Sequence, residues 1–161
     1  MISQTCVGEC MKRDVVTVRA STTVEEAVSL VVEEHIGTLP IVDVEGVLIG
    51  VVRLVDLLRV FMPDFVNLLD NIDFVHDFGA LEEAQPHAIP GAEQLTMEDL
   101  AVPPVSVDQR AGLLHALATI VKRELQDLPI VDEKGRLVGI ASRVDIAVAF
   151  FAARQIVESR S

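Results

Sequence analysis

The chain has 161 residues, of which 50% are hydrophobic and only 4% aromatic, and its formal net charge is −12 at pH 7. This length predicts about one domain, and the aliphatic composition indicates a compact core rather than a disordered chain. The negative charge and the scarcity of aromatic rings argue against a nucleic-acid-binding surface.

The sequence also bears on location and metal binding. No apolar run is long enough to cross a bilayer, and the N-terminus has no signal-peptide pattern. Cys6 and Cys10 are the only cysteines, and without further ligands they are expected to be free thiols in a reducing compartment rather than a zinc site. We therefore expect a cytoplasmic protein with no membrane insertion and no metal site.

The first predicted elements are a short strand over residues 15–18 and a helix that follows it. Thr23 precedes the apolar positions of this helix, and Glu26 lies three residues further on, which is a capping-box pattern. We expect the helix to end near residues 35–37, with Gly37 as its left-handed C-cap.

A hairpin and a second helix come next. Residues 40–43 and 47–52 have strand character, and the turn between them ends at Gly46. Pro40 has no backbone N–H, so we expect it at the start or edge of its strand rather than at the centre. Residues 53–62 are predicted to be helical up to Pro63.

An acidic segment then separates this unit from the rest of the chain. Residues 63–100 contain nine acidic side chains and no Lys or Arg, and the apolar pattern of their first half predicts one or two packed helices. Residues 70, 73, 76 and 77 (Asp, Asp, His, Asp) would share one helix face. That face could hold a divalent metal, dock a basic partner or simply be solvated.

The chain then repeats itself at an offset of 89 residues. Residues 16–61 align with 105–150 without a gap, and 15 of 46 positions are identical. The second copy therefore predicts the same β-α-β-β-α order, with its last helix running from Arg143 towards Glu158. Two such copies are expected to close one core as a pseudo-symmetric pair, with two equivalent clefts between them.

Two motifs recur in both copies: a Leu-Pro-Ile-Val-Asp strand (residues 39–43 and 128–132) and a Gly-h-h-x-x-x-Asp strand-to-helix turn, where h is apolar. In this order they resemble the cystathionine β-synthase (CBS) domain family, arranged as a tandem pair (Bateman module). The resemblance implies an α/β (α+β) fold of tandem β-α-β-β-α repeats with pseudo-two-fold symmetry. Repeat 1 would cover residues 7–62, an acidic helical insert 63–93, and repeat 2 residues 94–158.

The resemblance further implies clefts for adenosine-containing ligands. The second copy has the turn in full, ending in Ser142, Arg143 and Asp145. By resemblance, Asp145 would bind ribose, Ser142 would face phosphate or ribose, and Arg143 would neighbour phosphate. Adenine would lie against Val105, Ser106, Leu128 and Pro129. The same Ser142 and Asp145 would also cap a helix without any ligand, and the sequence leaves both roles open.

The first copy departs from the family pattern. Arg53 stands where a serine or threonine is expected, although Asp56 is kept. The arginine could clamp a di- or triphosphate, or it could fill the cleft and close it. By resemblance this cleft would be framed by Thr17, Thr38, Leu39 and Pro40.

The functional expectation is a regulatory sensor rather than an enzyme. The chain has no Walker A loop, no Gly-x-Ser-x-Gly and no His-Glu-x-x-His motif, so no catalytic residue is predicted and no cofactor is required. The module would bind AMP, ADP, ATP or S-adenosylmethionine as a regulatory ligand, form a homodimer, and act in trans on an unknown effector protein. The alternatives are a ligand-free interaction scaffold that uses the acidic, Phe-containing insert, and a minor activity on the bound nucleotide.

Overall fold

The computed structural model describes residues 5–62 and 91–154. The predicted acidic helices and the predicted end of the last helix beyond residue 154 lie outside the described residues. The first half contains α1 (Val24–Glu34), β1 (Thr38–Val42), β2 (Leu48–Arg53) and α2 (Leu54–Val60). The second half contains α3 (Met97–Leu100), β3 (Val107–Asp108), α4 (Leu113–Arg123), β4 (Asp127–Val131), β5 (Leu137–Ser142) and α5 (Arg143–Ala153). Short 3₁₀ turns occur at Val7–Glu9 and Ala92–Gln94.

The sheets follow the repeat. In the second half, β3 runs parallel to β4, and β4 pairs antiparallel with β5. In the first half, β1 and β2 form the antiparallel hairpin, and the leading strand is reduced to a parallel bridge between Val18 and Ile41. The predicted mixed α/β (α+β) class and the β-α-β-β-α order are confirmed, with a shortened first strand in the first copy.

The start of α1 follows the predicted pattern. The Thr23 hydroxyl accepts a hydrogen bond from the Glu26 N–H at 3.2 Å, and the Glu26 carboxylate accepts one from the Thr23 N–H at 2.9 Å. The two side chains thereby satisfy helix N–H groups that have no partner within the helix.

Helix α1 ends before Gly37, the residue at which it was expected to end. His35, rather than Gly37, takes the left-handed conformation, with φ of 53°. Its repeat equivalent Glu124 does the same, with φ of 54°. The turn has to precede Ile36, because that side chain packs on the core of the first half, as Leu125 does in the second. The prediction of Gly37 as the left-handed C-cap is therefore wrong.

Pro40 lies at the centre of β1, so the prediction that it starts or edges a strand is also wrong. It pairs with Val51 of β2. The N–H and C=O of Val51 point away from β1 and bond to Val102, at 3.1 and 2.9 Å. The missing N–H of Pro40 therefore removes no hydrogen bond between β1 and β2.

The buried side chains form two clusters, and each takes residues from the segment that precedes the other copy. Val7 and Met11 pack with the apolar residues of the second copy. Met97 packs with those of the first copy and is fully buried. The two leading segments are thus exchanged between the halves.

Backbone hydrogen bonds fix this exchange. Lys12 and Ile140 donate N–H groups to each other's carbonyls at 2.8 and 2.9 Å, and Val51 and Val102 make the corresponding pair on the opposite side. Each hairpin therefore gains an additional short pairing from outside its own copy. This crossing decides which residues surround each cleft.

Cys6 and Cys10 are free and half-buried. Burial raises the pKa of the Cys10 thiol, and the negative charge of Asp145 adds to this effect. Among residues 5–62 and 91–154, no helix is long and apolar enough to cross a membrane.

Candidate functional site

Two equivalent strand-to-helix turns lie between the halves. We call Gly50–Asp56 the first turn and Gly139–Asp145 the second turn. In each, the residue that opens the helix donates its N–H across to the loop before a hairpin of the same copy: Leu54 to the Gly37 carbonyl, and Arg143 to the Gln126 carbonyl, both at 2.8 Å. The backbone frames of the two turns are thus anchored in the same way.

In the second turn, Ser142 and Asp145 cap helix α5. The Ser142 hydroxyl accepts from the Asp145 N–H, and Asp145 Oδ2 accepts from the Ser142 N–H, both at 3.0 Å. Within the described part of the chain, the other carboxylate oxygen of Asp145 has no hydrogen-bond donor. The capping role that the sequence allowed is therefore present, and it leaves one acidic oxygen available as an acceptor.

Arg143, also in the second turn, is hydrogen-bonded to the loop that precedes β4. Its Nε and Nη2 donate to the Leu125 carbonyl at 3.1 and 2.8 Å, and its side chain is exposed. The backbone of the preceding loop thus fixes the guanidinium. Arg143 and Ser142 line the same cleft, so the positive charge lies next to the serine.

In the first turn, Asp56 is held by an arginine instead of a serine. Arg53 Nε donates to Asp56 Oδ2 and Arg53 Nη2 to Asp56 Oδ1, both at 2.8 Å, and the Arg53 N–H also donates to Oδ2 at 3.2 Å. Arg59 lies 3.6 Å from Oδ1. Both carboxylate oxygens of Asp56 are therefore occupied.

The charge state of Asp56 follows from these contacts. Burial works against the ionised carboxylate, but the hydrogen bonds and charge of Arg53, together with the charge of Arg59, outweigh burial and lower the pKa of Asp56. The hydrogen bond to Asp56 raises the pKa of Arg53 in return. A guanidinium has no acceptor, so Arg53 cannot cap the first N–H groups of α2 as Ser142 caps α5.

Each turn opens into a cleft between the halves. The second-turn cleft has a volume of about 460 Å³, and in it Ser142, Arg143 and Asp145 face Val15 and Val16 from the start of the first copy. Lys12, Asp14, Glu34, His35 and Ile36 contribute to the same cleft. Its wall thus combines apolar side chains with charged groups of both signs.

The first-turn cleft has a volume of about 590 Å³. Arg53, Leu54 and Val55 face residues from the second copy and the segment before it, namely Val102, Pro103, Val105, Arg123 and Pro129. This cleft is the more apolar of the two.

Thr38 and Asp127 line both clefts. They occupy equivalent positions in the two copies, and the Thr38 hydroxyl donates to Asp127 Oδ2 at 2.7 Å. The clefts are therefore separated by a wall that the two copies build together around this hydrogen bond.

The structure groups the predicted site residues differently from the expectation. Val105 and Pro129 lie with Arg53 in the first-turn cleft rather than with Ser142 and Asp145. Each turn was expected to face the strands of its own copy, but each cleft lies between the halves, so the turn faces residues of the other copy. Thr38 keeps the expected contact with the first-turn cleft and adds one with the second.

Several predicted residues do not line either cleft. Leu39, Pro40 and Leu128 are fully buried in the cores. Asp56 is turned towards Arg53, Ser106 is exposed on the surface, and Thr17 borders a separate open depression.

The residues that sequence reasoning missed come mostly from the exchanged segments: Lys12, Val15 and Val16 in one cleft, Val102 and Pro103 in the other. The repeat contained a partial signal, because Val16 is the equivalent of Val105, which was predicted as a ligand contact. The repeat indicated that this position within a copy contacts a ligand, but it could not show which of the two turns the residue faces.

Comparison with known proteins identifies the family. The model of the CBS domain matches residues 7–63 and 95–152. The chain belongs to the CBS domain family. Because the family model matches twice in tandem, the chain is a CBS pair, as its repeat predicted.

Relatives of this CBS pair include the chloroplastic CBS domain-containing protein CBSX1 of Arabidopsis thaliana, which is 31% identical over 148 residues, 89% of this chain and 63% of that protein. The 5'-AMP-activated protein kinase subunit gamma-3 of Sus scrofa is 30% identical over 141 residues, 85% of this chain and 24% of that subunit. The chain thus spans less than two thirds of the length of these curated relatives.

Among solved structures, the CBS pair is similar to CBSX2 of Arabidopsis thaliana in complex with AMP, with a TM-score of 0.67 and 27% identity. The match covers 92% of this chain and 98% of that structure. The arrangement of the two halves is therefore shared with a CBS pair that was crystallised with a nucleotide.

Proposed function

We propose that this CBS pair is a regulatory module that binds an adenosine-containing ligand in the second-turn cleft. The observation that carries the proposal is the position of Asp145. Its carboxylate borders a cleft between the halves, and one of its oxygens has no donor within the described part of the chain. The candidate ligands are AMP, ADP, ATP and S-adenosylmethionine.

The chemistry of this cleft suits a nucleoside. A carboxylate accepts hydrogen bonds from ribose hydroxyls, and the Ser142 hydroxyl and the start of helix α5 supply a polar surface beside it. Val15, Val16 and Ile36 offer an apolar wall for adenine. The solved complex of CBSX2 with AMP supports the same ligand class for a related CBS pair.

A ligand in this position would contact both halves, so its binding could change the arrangement of one half relative to the other. Val16 and Asp145 come from different copies and face the same cleft. A ligand shifts an equilibrium between two arrangements only by its differential affinity for them, and a ligand that touches both halves has such a difference available. We propose that an effector protein reads this change in trans.

The remaining features of the proposal concern the whole protein. We infer a homodimer in the cytoplasm that acts without catalysis and needs no cofactor. The relative CBSX1 is named chloroplastic, so location is best tested directly by imaging a tagged full-length chain.

The scaffold alternative depends on the acidic insert, of which residues 63–90 lie outside the described residues. Its support is the seven acidic side chains, without Lys or Arg, over residues 63–93. It stays a prediction, and ligand titration separates it from the sensor.

Calorimetric titration of the purified chain with AMP, ADP, ATP and S-adenosylmethionine tests the proposal. At least one should bind, and Asp145→Asn should weaken binding by about tenfold to a hundredfold, because a hydrogen bond to a charged group contributes about 1.5–3 kcal/mol. Asparagine keeps an acceptor for the Ser142 N–H, so the cap of α5 is preserved.

Asp108→Asn is the matched control, because Asp108 is an exposed carboxylate of the same copy that borders neither cleft. It should leave the affinity unchanged. If none of the four ligands binds, the sensor hypothesis is rejected and the scaffold hypothesis is favoured.

A further inference from the structure

We propose that Arg53 closes the first-turn cleft to nucleosides by occupying Asp56, so that the chain binds one adenosine-containing ligand rather than two. The inference rests on the proposed function of the second-turn cleft. It makes Arg53 a specificity-determining residue of the equivalent cleft.

The two acidic residues at the ends of the turns are in opposite states. Both oxygens of Asp56 accept from the Arg53 guanidinium at 2.8 Å, and the Asp56 side chain is only 10% exposed. Asp145, by contrast, borders its cleft and shares a single oxygen with the Ser142 N–H. A ribose that approached Asp56 would have to displace a bidentate, charge-assisted contact, which is among the stronger polar interactions in proteins.

Arg53 does not act by filling space. The first-turn cleft is about 590 Å³ in volume even with the arginine in place, against about 460 Å³ for the second-turn cleft. The Arg53 side chain is 46% exposed. The first-turn cleft therefore has room for a nucleoside, but the carboxylate equivalent to Asp145 is not free to accept hydrogen bonds from its ribose.

Capture of a phosphate by Arg53 is also disfavoured. The guanidinium would have to leave Asp56, and the nearly buried carboxylate would then lose its two side-chain hydrogen-bond donors. Of the two roles that the sequence left open for Arg53, neither filling the cleft nor clamping phosphate fits this geometry as well as the occupation of Asp56.

The backbone at position 53 is already suited to serine. Arg53 has φ and ψ of −95° and 153°, close to the −73° and 160° of Ser142. Its N–H donates to Asp56 Oδ2 just as the Ser142 N–H donates to Asp145 Oδ2. Arg53→Ser should therefore reproduce the second turn within the first copy and free one oxygen of Asp56.

The test is the number of ligands bound per chain, measured by calorimetry with AMP and, separately, with S-adenosylmethionine. We expect one site in the wild type and two in Arg53→Ser. The control is Arg59→Ser, which removes the guanidinium at 3.6 Å but leaves the Arg53 contact intact. It should bind the same number of ligands as the wild type.

The outcomes separate this inference from the proposed function. A folded Arg53→Ser chain that gains no site with either probe overturns the role of Arg53, and so do two sites in the wild type. A wild type that binds neither probe contradicts the proposed function and, because Arg53→Ser copies the second turn, overturns this inference with it. If thermal melting shows that Arg53→Ser is unfolded, Arg53→Gln provides the same comparison, because glutamine cannot form the charged bidentate contact.

Discussion

The first and second turns have closely similar backbones, yet their acidic residues are available to different degrees. Asp145 is oriented by a serine that uses one of its oxygens, whereas Asp56 is held by an arginine that uses both. A single difference three residues before the acid changes how many of its oxygens already accept hydrogen bonds. The comparison shows that a repeated fold preserves the position of a carboxylate without preserving its chemistry.

The exchanged segments give the largest expected difference between the halves. Met97, from the segment before the second copy, is fully buried in the core of the first half, while Met11 is 9% exposed in the other core. Met97→Ala should lower the free energy of unfolding by about 2–5 kcal/mol, because it removes buried methylene groups and leaves a cavity. Denaturant unfolding measures the effect.

Met97→Leu is the matched control and should cost less than about 1.5 kcal/mol, because volume is nearly conserved. Met11→Ala should cost less than Met97→Ala. If Met97→Ala were as mild as its leucine control, α3 would not belong to the core of the first half.

The equivalent glycines Gly50 and Gly139 differ in how much space surrounds them. A Cβ on Gly139 would meet the Met11 side chain and lie 2.9 Å from the Lys12 carbonyl oxygen, whereas on Gly50 its nearest neighbours, the Ala101 and Ile41 side chains, are at 3.4 Å. Gly139→Ala should therefore cost about 1–3 kcal/mol through overpacking. Gly50→Ala should cost clearly less.

Thermal melts of both glycine variants decide the matter. If both variants lose the same stability, the N-terminal segment does not pack against β5 as closely as the structure shows.

The helix caps give a smaller difference. Ser142→Ala removes the hydroxyl that accepts from the Asp145 N–H and should cost about 1 kcal/mol, while Ser142→Gly should cost only a few tenths. Helix α2 has no equivalent cap to lose, because Arg53 provides no acceptor. Chemical denaturation of the two serine variants, with far-ultraviolet circular dichroism as the probe, tests the contrast. Equal effects of alanine and glycine would contradict a capping role.

The smallest effect is in the pH dependence. Because the pKa of folded Asp56 is lowered, its ionised form stabilises the fold above the unfolded pKa of about 3.9, and this stability is lost as the pH falls through the folded value. Wild type should therefore exceed Arg53→Ala, which removes the contact without adding a cap to α2, in stability near neutral pH, by no more than about 1 kcal/mol since the arginine is partly solvated.

The difference between wild type and Arg53→Ala should shrink below about pH 4. Melting temperatures of both chains between neutral and acidic pH check this. A difference that stays constant with pH would show that Asp56 is not the group responsible.

Features set by neighbouring residues could be predicted from the sequence. The Thr23 cap, both hairpins and the Ser142 cap depend on residues within a few positions of one another, and the hairpin pattern occurs in both copies. The end of α1 at His35 could not be predicted from Gly37, because the packing of Ile36 decides it. The neighbours of each turn could not be predicted either, because an offset of 89 residues does not specify which half a leading segment packs against.

The hydrogen bond between Thr38 and Asp127 joins equivalent positions across the pseudo-two-fold axis. In a symmetric dimer of single repeats, a residue at such a position would face its own copy, and two aspartates there would repel each other. A tandem chain can place different side chains on the two sides, and here it pairs a donor with an acceptor. The covalent link between the copies thus permits a complementary contact that strict symmetry would forbid, in the wall that separates the two clefts.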